Sequence, residues 1–243
     1  STLKQFKRRE KLKQQANSLL LAKDPDLTNT KLTNTELANT AKSFDVEGFC
    51  QKITDNLPCD LLADEQKQAA WQEALNNSHT NDELLQLYSR LVLTSVDEKA
   101  MAEIARFSTE ATVLVALSPV AVIDMLIMLW RNLRMINKVA GLYGLKLGYW
   151  SRIKLIRQVF VNMVYAGASE LIADFGTDMI GADLLGKLSG RLAQGLGAGM
   201  LTARLGIKTM QLCRPIPFED KPKLSHVRKE MLTTIKQLIS RKN

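Results

Sequence analysis

Residues 111–138 read ATVLVALSPVAVIDMLIMLWRNLRMINK, and they open the stretch to Pro217 around which the chain is organised. The apolar run from Ala111 to Trp130 is broken only by Thr112, Ser118, Pro119 and Asp124. Proline lacks the N–H donor of a helix interior and restricts the residue before it. The run is therefore predicted to form two helices that meet at Ser118-Pro119.

The same run also has the length and hydropathy of a membrane-spanning helix. Asp124 would then lie near the middle of the bilayer, at a cost of roughly 2.5 to 3.5 kcal/mol. We therefore predict a buried hairpin over residues 111–130, in which the Asp124 carboxylate pairs with one of the arginines that follow it. A true membrane span is the alternative.

The composition predicts an all-α protein. The chain has 243 residues, of which 46% are hydrophobic and 24% are charged, so it can bury a substantial core. Apolar and polar residues do not alternate over a strand's length, and the prolines lie mostly between periodic segments. The net charge of +8 favours an anionic partner, although a basic protein without such a partner is the alternative.

Three domains are predicted within this helical bundle. Residues 1–42 read as a basic juxtamembrane helix followed by an Asn/Thr-rich linker, in which LTNT nearly repeats every five residues. Residues 43–94 form a small helical subdomain. Residues 95–243 form the hydrophobic, glycine-rich helical core, and the core ends in an amphipathic helix.

Helix starts are predicted from residues that accept hydrogen bonds from free N–H groups in a first turn. Ser43 and Asp64 are candidate caps, and Thr80-Asn-Asp-Glu83 and Ser95-Val-Asp-Glu98 have the capping-box pattern. Each of the two boxes is predicted to begin a helix.

The chain's cysteines and its first residue bear on its cellular setting. Cys50, Cys59 and Cys213 lack the paired spacing of a disulfide framework or a zinc site, so a reducing compartment is expected. The chain begins at Ser1 without an initiator methionine or a secretory signal. We therefore expect the natural N-terminus to precede Ser1.

A basic tract without acidic residues lies between Met125 and Ser169, and its charges are Arg131, Arg134, Lys138, Lys146, Arg152, Lys154 and Arg157. The first three are separated by three and four residues, so they share one face of a helix. Together with Asn132 they are the candidate binding site for phosphate, lipid headgroups or an acidic protein surface. The alternative is that these charges pair with carboxylates of the same fold.

The candidate internal charge partners are Asp124, Glu170 and Asp178. Glu170 and Asp178 belong to a series of carboxylates spaced four residues apart. With no histidine near these carboxylates, a metal site is not expected.

Neither of two motif-like segments predicts an enzyme. Gly195-Leu-Gly-Ala-Gly199 superficially resembles a dinucleotide fingerprint, but no strand precedes it, and close helix packing explains its small residues better. Gly167-Ala-Ser-Glu-Leu171 lacks the second glycine of a nucleophile elbow. No catalytic residue and no cofactor are therefore predicted.

A resemblance to a known family rests on motifs distributed over the core. They are Ser118-Pro, Trp130-Arg-Asn-Leu-Arg134, Tyr143-Gly, Gly148-Tyr, Ser151-Arg152, Gly167-Ala-Ser-Glu-Leu171, Gly197-Ala-Gly199, Leu201-Thr-Ala-Arg-Leu-Gly-Ile-Lys208 and Leu212-Cys-Arg-Pro215. With these motifs the chain resembles the C-terminal part of the YcjF-type family of uncharacterised bacterial inner-membrane proteins. The resemblance covers roughly residues 43–243 and is sharpest over 108–217, whereas the Asn/Thr-rich linker departs from it.

The resemblance implies two transmembrane helices before Ser1, a cytoplasmic location for this region and a helical domain also found attached to small GTPase-like proteins. Members are often encoded beside a P-loop nucleotide-binding protein. The predicted function is therefore a membrane-anchored interaction or scaffold protein that works with a P-loop GTPase-like partner. The main alternative is a lipid-binding or membrane-remodelling domain that contacts the bilayer through its hydrophobic central region.

Other partners and activities rank lower. Nucleic-acid binding is weaker, because few aromatic residues lie within the basic tract and no recognised motif is present. An enzyme ranks last. An anionic membrane surface and a homo-oligomer are both compatible with the sequence.

Overall fold

The computed structural model describes residues 45–62, 65–77, 80–117, 121–145, 153–159, 161, 190–220, 222–225, 227–229 and 233, with side chains left undescribed at 121–125 and 191–193. All regular structure within these ranges is helical, and they contain no strand. The predicted all-α bundle is thereby confirmed.

The described α-helices are α1 (Val46–Thr54), α2 (Glu65–Asn76), α3 (Asn81–Tyr88), α4 (Thr94–Leu117), α5 (Ala121–Leu142) and α6 (Gly190–Cys213). A 3-10 turn, Cys59–Leu61, lies between α1 and α2, and a π-helical turn, Ser89–Leu93, joins α3 to α4. Residues 153–159 are also helical.

The chain divides into two compact units. Unit 1 contains residues 1–99, 141–151 and 213–219, and unit 2 contains residues 100–140, 152–212 and 220–243. The three predicted domains remain a prediction, and their first segment, residues 1–42, lies outside the described ranges.

In unit 1, local capping chemistry explains where the first helices begin. The Thr80 hydroxyl accepts a hydrogen bond from the backbone N–H of Glu83 at 3.4 Å, and the Glu83 carboxylate accepts one from the N–H of Thr80 at 2.9 Å. This confirms the first predicted capping box. The cap of α1 is Asp45, which accepts from the N–H of Gly48 at 2.8 Å. The candidate caps Ser43 and Asp64 lie outside the described residues.

The second predicted capping box does not begin a helix. The chain is already helical through the π turn Ser89–Leu93 when it reaches Ser95, and α4 starts at Thr94. The Ser95 hydroxyl instead accepts a hydrogen bond from the Lys67 ammonium at 2.8 Å. Because Leu93 and Val96 are fully buried, their packing favours continuation of the helix over a local cap.

The core of unit 1 is built around an aromatic pair. The rings of Trp71 and Tyr88 meet edge to face with their centroids 5.0 Å apart. The Tyr88 hydroxyl is 2.8 Å from the Thr54 hydroxyl, so its polar end is satisfied inside the core. Together these contacts join α1, α2 and α3.

In unit 2, helices α4 and α6 approach each other at glycines. A Cβ atom at Gly195 would lie 2.5 Å from the backbone oxygen of Thr112, and one at Gly206 would lie 2.7 Å from side-chain carbons of Ile104. Ala203, between these two glycines, is fully buried. The small residues therefore serve helix packing, as the sequence predicted.

The apolar run at residues 111–130 is only partly as predicted. Helix α4 ends at Leu117 and α5 begins at Ala121, so the run forms two helices. The expectation of burial was wrong, because Leu117, Leu126 and Trp130 are 72%, 65% and 60% exposed. Hydropathy measures the preference of a side chain for an apolar environment, and here no neighbouring helix of the described chain supplies that environment.

None of the described helices contains a stretch that is both long enough and apolar enough to cross a bilayer.

Candidate functional site

The predicted binding residues of α5 lie beside a row of opposite charges on α4. The Lys138 ammonium is 2.7 Å from the Glu103 carboxylate, and the Arg131 guanidinium pairs with Glu110. The two pairs are seven residues apart on each helix. The earlier residue of α4 pairs with the later residue of α5, so the two helices are antiparallel. Arg106 contacts Glu103 at 3.3 Å and Glu110 at 3.6 Å, and thereby links the two pairs.

Arg131 is less exposed than Lys138, with 22% and 42% of the two side chains accessible. Its guanidinium also lies over the ring of Phe107, 5.7 Å from the centroid. Burial lowers the pKa of the Arg131 guanidinium, and the positive charges of Arg106 and Arg134 lower it further. Arg131 is therefore committed to contacts within unit 2.

Arg134 is in a different environment. Its side chain is exposed, and its guanidinium stacks over the ring of Trp130 at 5.6 Å from the centroid. Among the described residues, no carboxylate lies within ion-pair distance of Arg134. Since Lys138 follows it by one turn and is 42% exposed, the outward side of α5 carries an aromatic ring and two cations. We call Trp130, Arg134 and Lys138 the α5 face.

Asn132 points away from the α5 face. Its side-chain oxygen accepts a hydrogen bond from the Thr202 hydroxyl on α6 at 3.2 Å. Asn132 is partly buried and Thr202 is buried, so this contact joins α5 to α6 within unit 2. The structure therefore brings Arg134 and Lys138 together on one surface and places Asn132 in a helix contact.

The predicted internal charge partners lie outside the described side chains. Glu170 and Asp178 lie outside the described residues, and of Asp124 only the backbone within α5 is described. The carboxylates that do contact the basic residues are Glu103 and Glu110, which the sequence analysis did not single out. Their seven-residue spacing, which matches that of Arg131 and Lys138, is the signal that would have identified them.

Neutralising Arg131 and Arg134 together, as Arg131→Gln and Arg134→Gln, is expected to change the free energy of unfolding by no more than about 1 to 2 kcal/mol. Glu110 keeps Arg106 as a partner, and its side chain is 43% exposed, so water screens any unpaired charge. Chemical denaturation followed by circular dichroism measures this. A loss above about 3 kcal/mol would mean that the α5 cations are buried structural partners.

A second polar cluster, in unit 1, is centred on Arg214 directly after α6. The Arg214 side chain is only 4% exposed and forms an ion pair with Asp97 at 3.0 Å. Its guanidinium also donates to the backbone oxygens of Ile216 and Pro217, at 2.5 Å and 2.9 Å, and to the Ser89 hydroxyl at 2.9 Å. All three guanidinium nitrogens therefore have acceptors.

Tyr143 completes the Arg214 cluster. Its hydroxyl donates to the Asp97 carboxylate at 2.6 Å. Burial raises the pKa of the Asp97 carboxyl, although the charge and hydrogen bonds of Arg214 and the bond from Tyr143 oppose this shift. Burial and the neighbouring Asp97 charge raise the pKa of the Tyr143 hydroxyl. The polar groups of the Arg214 cluster thus bind one another, as expected of residues that stabilise the fold.

Sequence analysis did not assign a role to the Arg214 cluster. Arg214 and Tyr143 nevertheless stand in two of the motifs that carried the family resemblance, Leu212-Cys-Arg-Pro215 and Tyr143-Gly. Ser89 lies in the π turn, where the extra residue per turn changes the direction of a side chain. Such a turn is not encoded by hydrophobic periodicity.

Metal binding finds no support in the part of the chain that the structure describes, which contains no group of three or more His, Cys, Asp or Glu side chains placed to hold an ion. Cys50 and Cys213 are buried, and Cys59 is exposed. Burial raises the pKa of the Cys50 thiol, so this sulfur remains protonated and unreactive.

These features define a class of protein: an all-helical domain with internally paired charges and an exposed apolar and cationic surface on α5. A family model described as "Domain of unknown function (DUF697)" matches residues 79–237. The chain therefore belongs to the DUF697 family.

Several relatives are named as membrane proteins. A UPF0283 membrane protein of Actinobacillus succinogenes is 47% identical over 194 residues, covering 79% of this chain and 53% of the relative. One from Haemophilus influenzae is 41% identical over 243 residues, covering 99% of this chain and 66% of the relative. A third, from Yersinia enterocolitica, is named UPF0283 protein YcjF and is 48% identical over 175 residues, covering 71% of this chain and 49% of the relative.

These comparisons confirm the resemblance to the YcjF-type family and support a location at a membrane. The chain spans about half the length of most of the curated relatives it matches, for example 53% and 50% of two of them. No solved structure matches the chain.

Proposed function

We propose that this chain is the interaction module of an inner-membrane protein, lies on the cytoplasmic side and binds a P-loop GTPase-like protein through the α5 face. The observation that carries the proposal is the exposed stack of Arg134 on Trp130, which has no carboxylate partner among the described residues. Tryptophan and arginine are the residues most enriched at the energetic centres of protein interfaces.

The neighbouring charges favour a selective surface over general basicity. Arg106 and Arg131 are engaged by Glu103 and Glu110, so the charge that remains available on this side of α5 is concentrated at Arg134 and, in part, at Lys138. A guanidinium held flat by an aromatic ring is pre-organised to bind a carboxylate or a phosphate in a bidentate manner. The partner surface is accordingly expected to be acidic.

The role is that of a binding protein and not of a catalyst. In the described residues, three titratable groups have raised pKa values. Asp97 and Tyr143 belong to the closed Arg214 cluster, in which Asp97 contacts both Tyr143 and Arg214. The third is the buried thiol of Cys50. The α5 face contains no nucleophile and no general base. A nucleotide-dependent activity would therefore belong to the partner, with this module holding it at the membrane.

The test is capture of the partner from native membranes. The full-length protein is crosslinked, purified and analysed by mass spectrometry, with and without added GTP. We expect a P-loop protein to be recovered with the unaltered protein and to be lost with Trp130→Ala combined with Arg134→Gln. The matched control is Arg157→Gln, which removes an exposed arginine from residues 153–159.

Two results would contradict the proposal. One is equal recovery of the P-loop protein with the double variant and with the control. The other is recovery of no P-loop protein at all while the double variant melts like the unaltered protein.

A further inference from the structure

The last residue of α4 and the first half of α5 carry exposed apolar side chains. The described ones are Leu117 at the end of α4 and Leu126, Ile127 and Leu129 on α5, all of which are exposed large hydrophobic residues. We call these four residues the hairpin tip. It is distinct from the α5 face of Trp130, Arg134 and Lys138, which lies further along the same helix.

Side-chain chemistry changes in order along the hairpin. The hairpin tip is apolar, and Trp130 follows it on α5. The ion pair between Arg131 and Glu110 comes next and places a charge of each helix at the same level. This order of apolar residues, then an aromatic ring, then charged groups matches the path from hydrocarbon through the bilayer interface into water.

The dimensions of the hairpin match one leaflet. Arg131 lies ten residues after Ala121, the first residue of α5, which corresponds to about 15 Å at a rise of 1.5 Å per residue. Half of the hydrocarbon core of a bilayer is also about 15 Å. Within each helix the interior backbone N–H and C=O groups are satisfied, as hydrocarbon requires. The last C=O groups of α4 and the first N–H groups of α5 lack such partners, which limits how deeply the hairpin can insert.

We propose that the hairpin tip inserts into one leaflet of an anionic phospholipid bilayer. Trp130 then lies near the interface, and Arg134 and Lys138 lie beyond it on the aqueous side, where they remain open to a protein partner. Two observations favour lipid as the binding partner of the hairpin tip. The chain is similar to proteins named as membrane proteins. The charged groups beside the tip on the exposed side of α5 are mainly cationic, which suits an anionic bilayer. This inference does not depend on the proposed protein partner.

Asp124 opposes insertion. It lies within α5 seven residues before Arg131, at a depth where an ionised carboxylate is unfavourable. Lipid binding of this region alone is therefore expected to be reversible, and Asp124→Asn is expected to strengthen it. The size of this effect, and not its sign, distinguishes insertion from purely electrostatic adsorption, in which the loss of one negative charge also strengthens binding but by less.

The first test is co-flotation of the 243-residue chain with vesicles of phosphatidylethanolamine and phosphatidylglycerol. The combined substitutions Leu126→Asp and Leu129→Asp are expected to weaken binding at least about tenfold. The matched control replaces two exposed hydrophobic residues outside the hairpin, as Ile153→Asp with Leu201→Asp, and is expected to bind within about threefold of the unaltered chain. Circular dichroism must show that both variants keep the helical content of the unaltered chain.

The second test measures depth. With Cys59→Ser removing the exposed thiol, a nitroxide is attached at Leu126→Cys or at Lys138→Cys. On adding vesicles, the label at 126 is expected to gain accessibility to oxygen and lose it to a water-soluble nickel complex, while the label at 138 keeps its accessibility to nickel.

Three outcomes overturn the proposal: equal flotation of the tip variant and the control, a label at 126 that stays accessible to the nickel complex, or a tip that is covered by a second copy in the absence of lipid. The last is measured by analytical ultracentrifugation. Failure here leaves the proposed protein partner standing, because partner capture is tested by substitutions at Trp130 and Arg134, whereas flotation is tested by substitutions at Leu126 and Leu129.

Discussion

Replacing Arg214 with leucine is expected to lower the free energy of unfolding by about 3 to 5 kcal/mol. The substitution supplies a shorter, apolar side chain and leaves Asp97 without its ion-pair partner in a mostly buried site. It also removes the donors that satisfy the backbone oxygens of Ile216 and Pro217 and the Ser89 hydroxyl. Chemical denaturation measures the change.

The control for Arg214 is a second arginine of unit 1 that also pairs with a carboxylate. Arg90 contacts Glu219 at 3.0 Å, but 66% and 50% of the two side chains are exposed. Arg90→Gln is therefore expected to change stability by only about 0 to 1 kcal/mol. If Arg214→Leu were no more destabilising than Arg90→Gln, the Arg214 cluster would not be an anchor of the fold.

Gly206→Ala is expected to destabilise the protein by about 1 to 3 kcal/mol, because the new methyl group would lie 2.7 Å from two carbons of the Ile104 side chain. Those carbons are attached directly to the Cβ of a branched side chain, so they cannot move aside without repacking α4 against α6. Denaturation of the purified chain measures the change.

Gly197 on the same helix provides a matched control. A Cβ atom at Gly197 would have no neighbour within 4 Å, so Gly197→Ala gains helix propensity without a clash and should stabilise the chain by roughly 0.5 to 1 kcal/mol. The two glycine-to-alanine variants are thus expected to change stability in opposite directions. A stabilising shift for both would show that α4 and α6 do not approach closely at Gly206.

The parts of the fold that could be predicted from sequence are those fixed by neighbours along the chain. Thr80 and Glu83 satisfy each other's backbone groups across three residues, so their pattern gives a helix start directly. The same pattern at Ser95 failed, because buried contacts of Leu93 and Val96 continue the helix through a π turn. A capping-box pattern therefore predicts the start of a helix only where tertiary packing does not continue the preceding helix through it.

The parts of the candidate site that could not be predicted depend on distant residues. Spacing placed Arg131, Arg134 and Lys138 on one helix, and the structure confirms that all three lie on α5. Spacing could not show that Glu110 engages Arg131 while Arg134 stays exposed on Trp130, because this difference is set by how α4 packs against α5. Nor does hydropathy distinguish a buried apolar run from the exposed hairpin tip.

The most direct test of the proposed function is site-specific photocrosslinking in native membranes. A benzophenone amino acid replaces Gly141, which lies on α5 two turns after Arg134 and has no neighbour within 4 Å of an added Cβ. The control position is Gly190, which is equally open. We expect a GTP-sensitive crosslink to a P-loop protein from position 141 and none from position 190. Identical products from both positions, or no protein product from position 141, would contradict the proposed function.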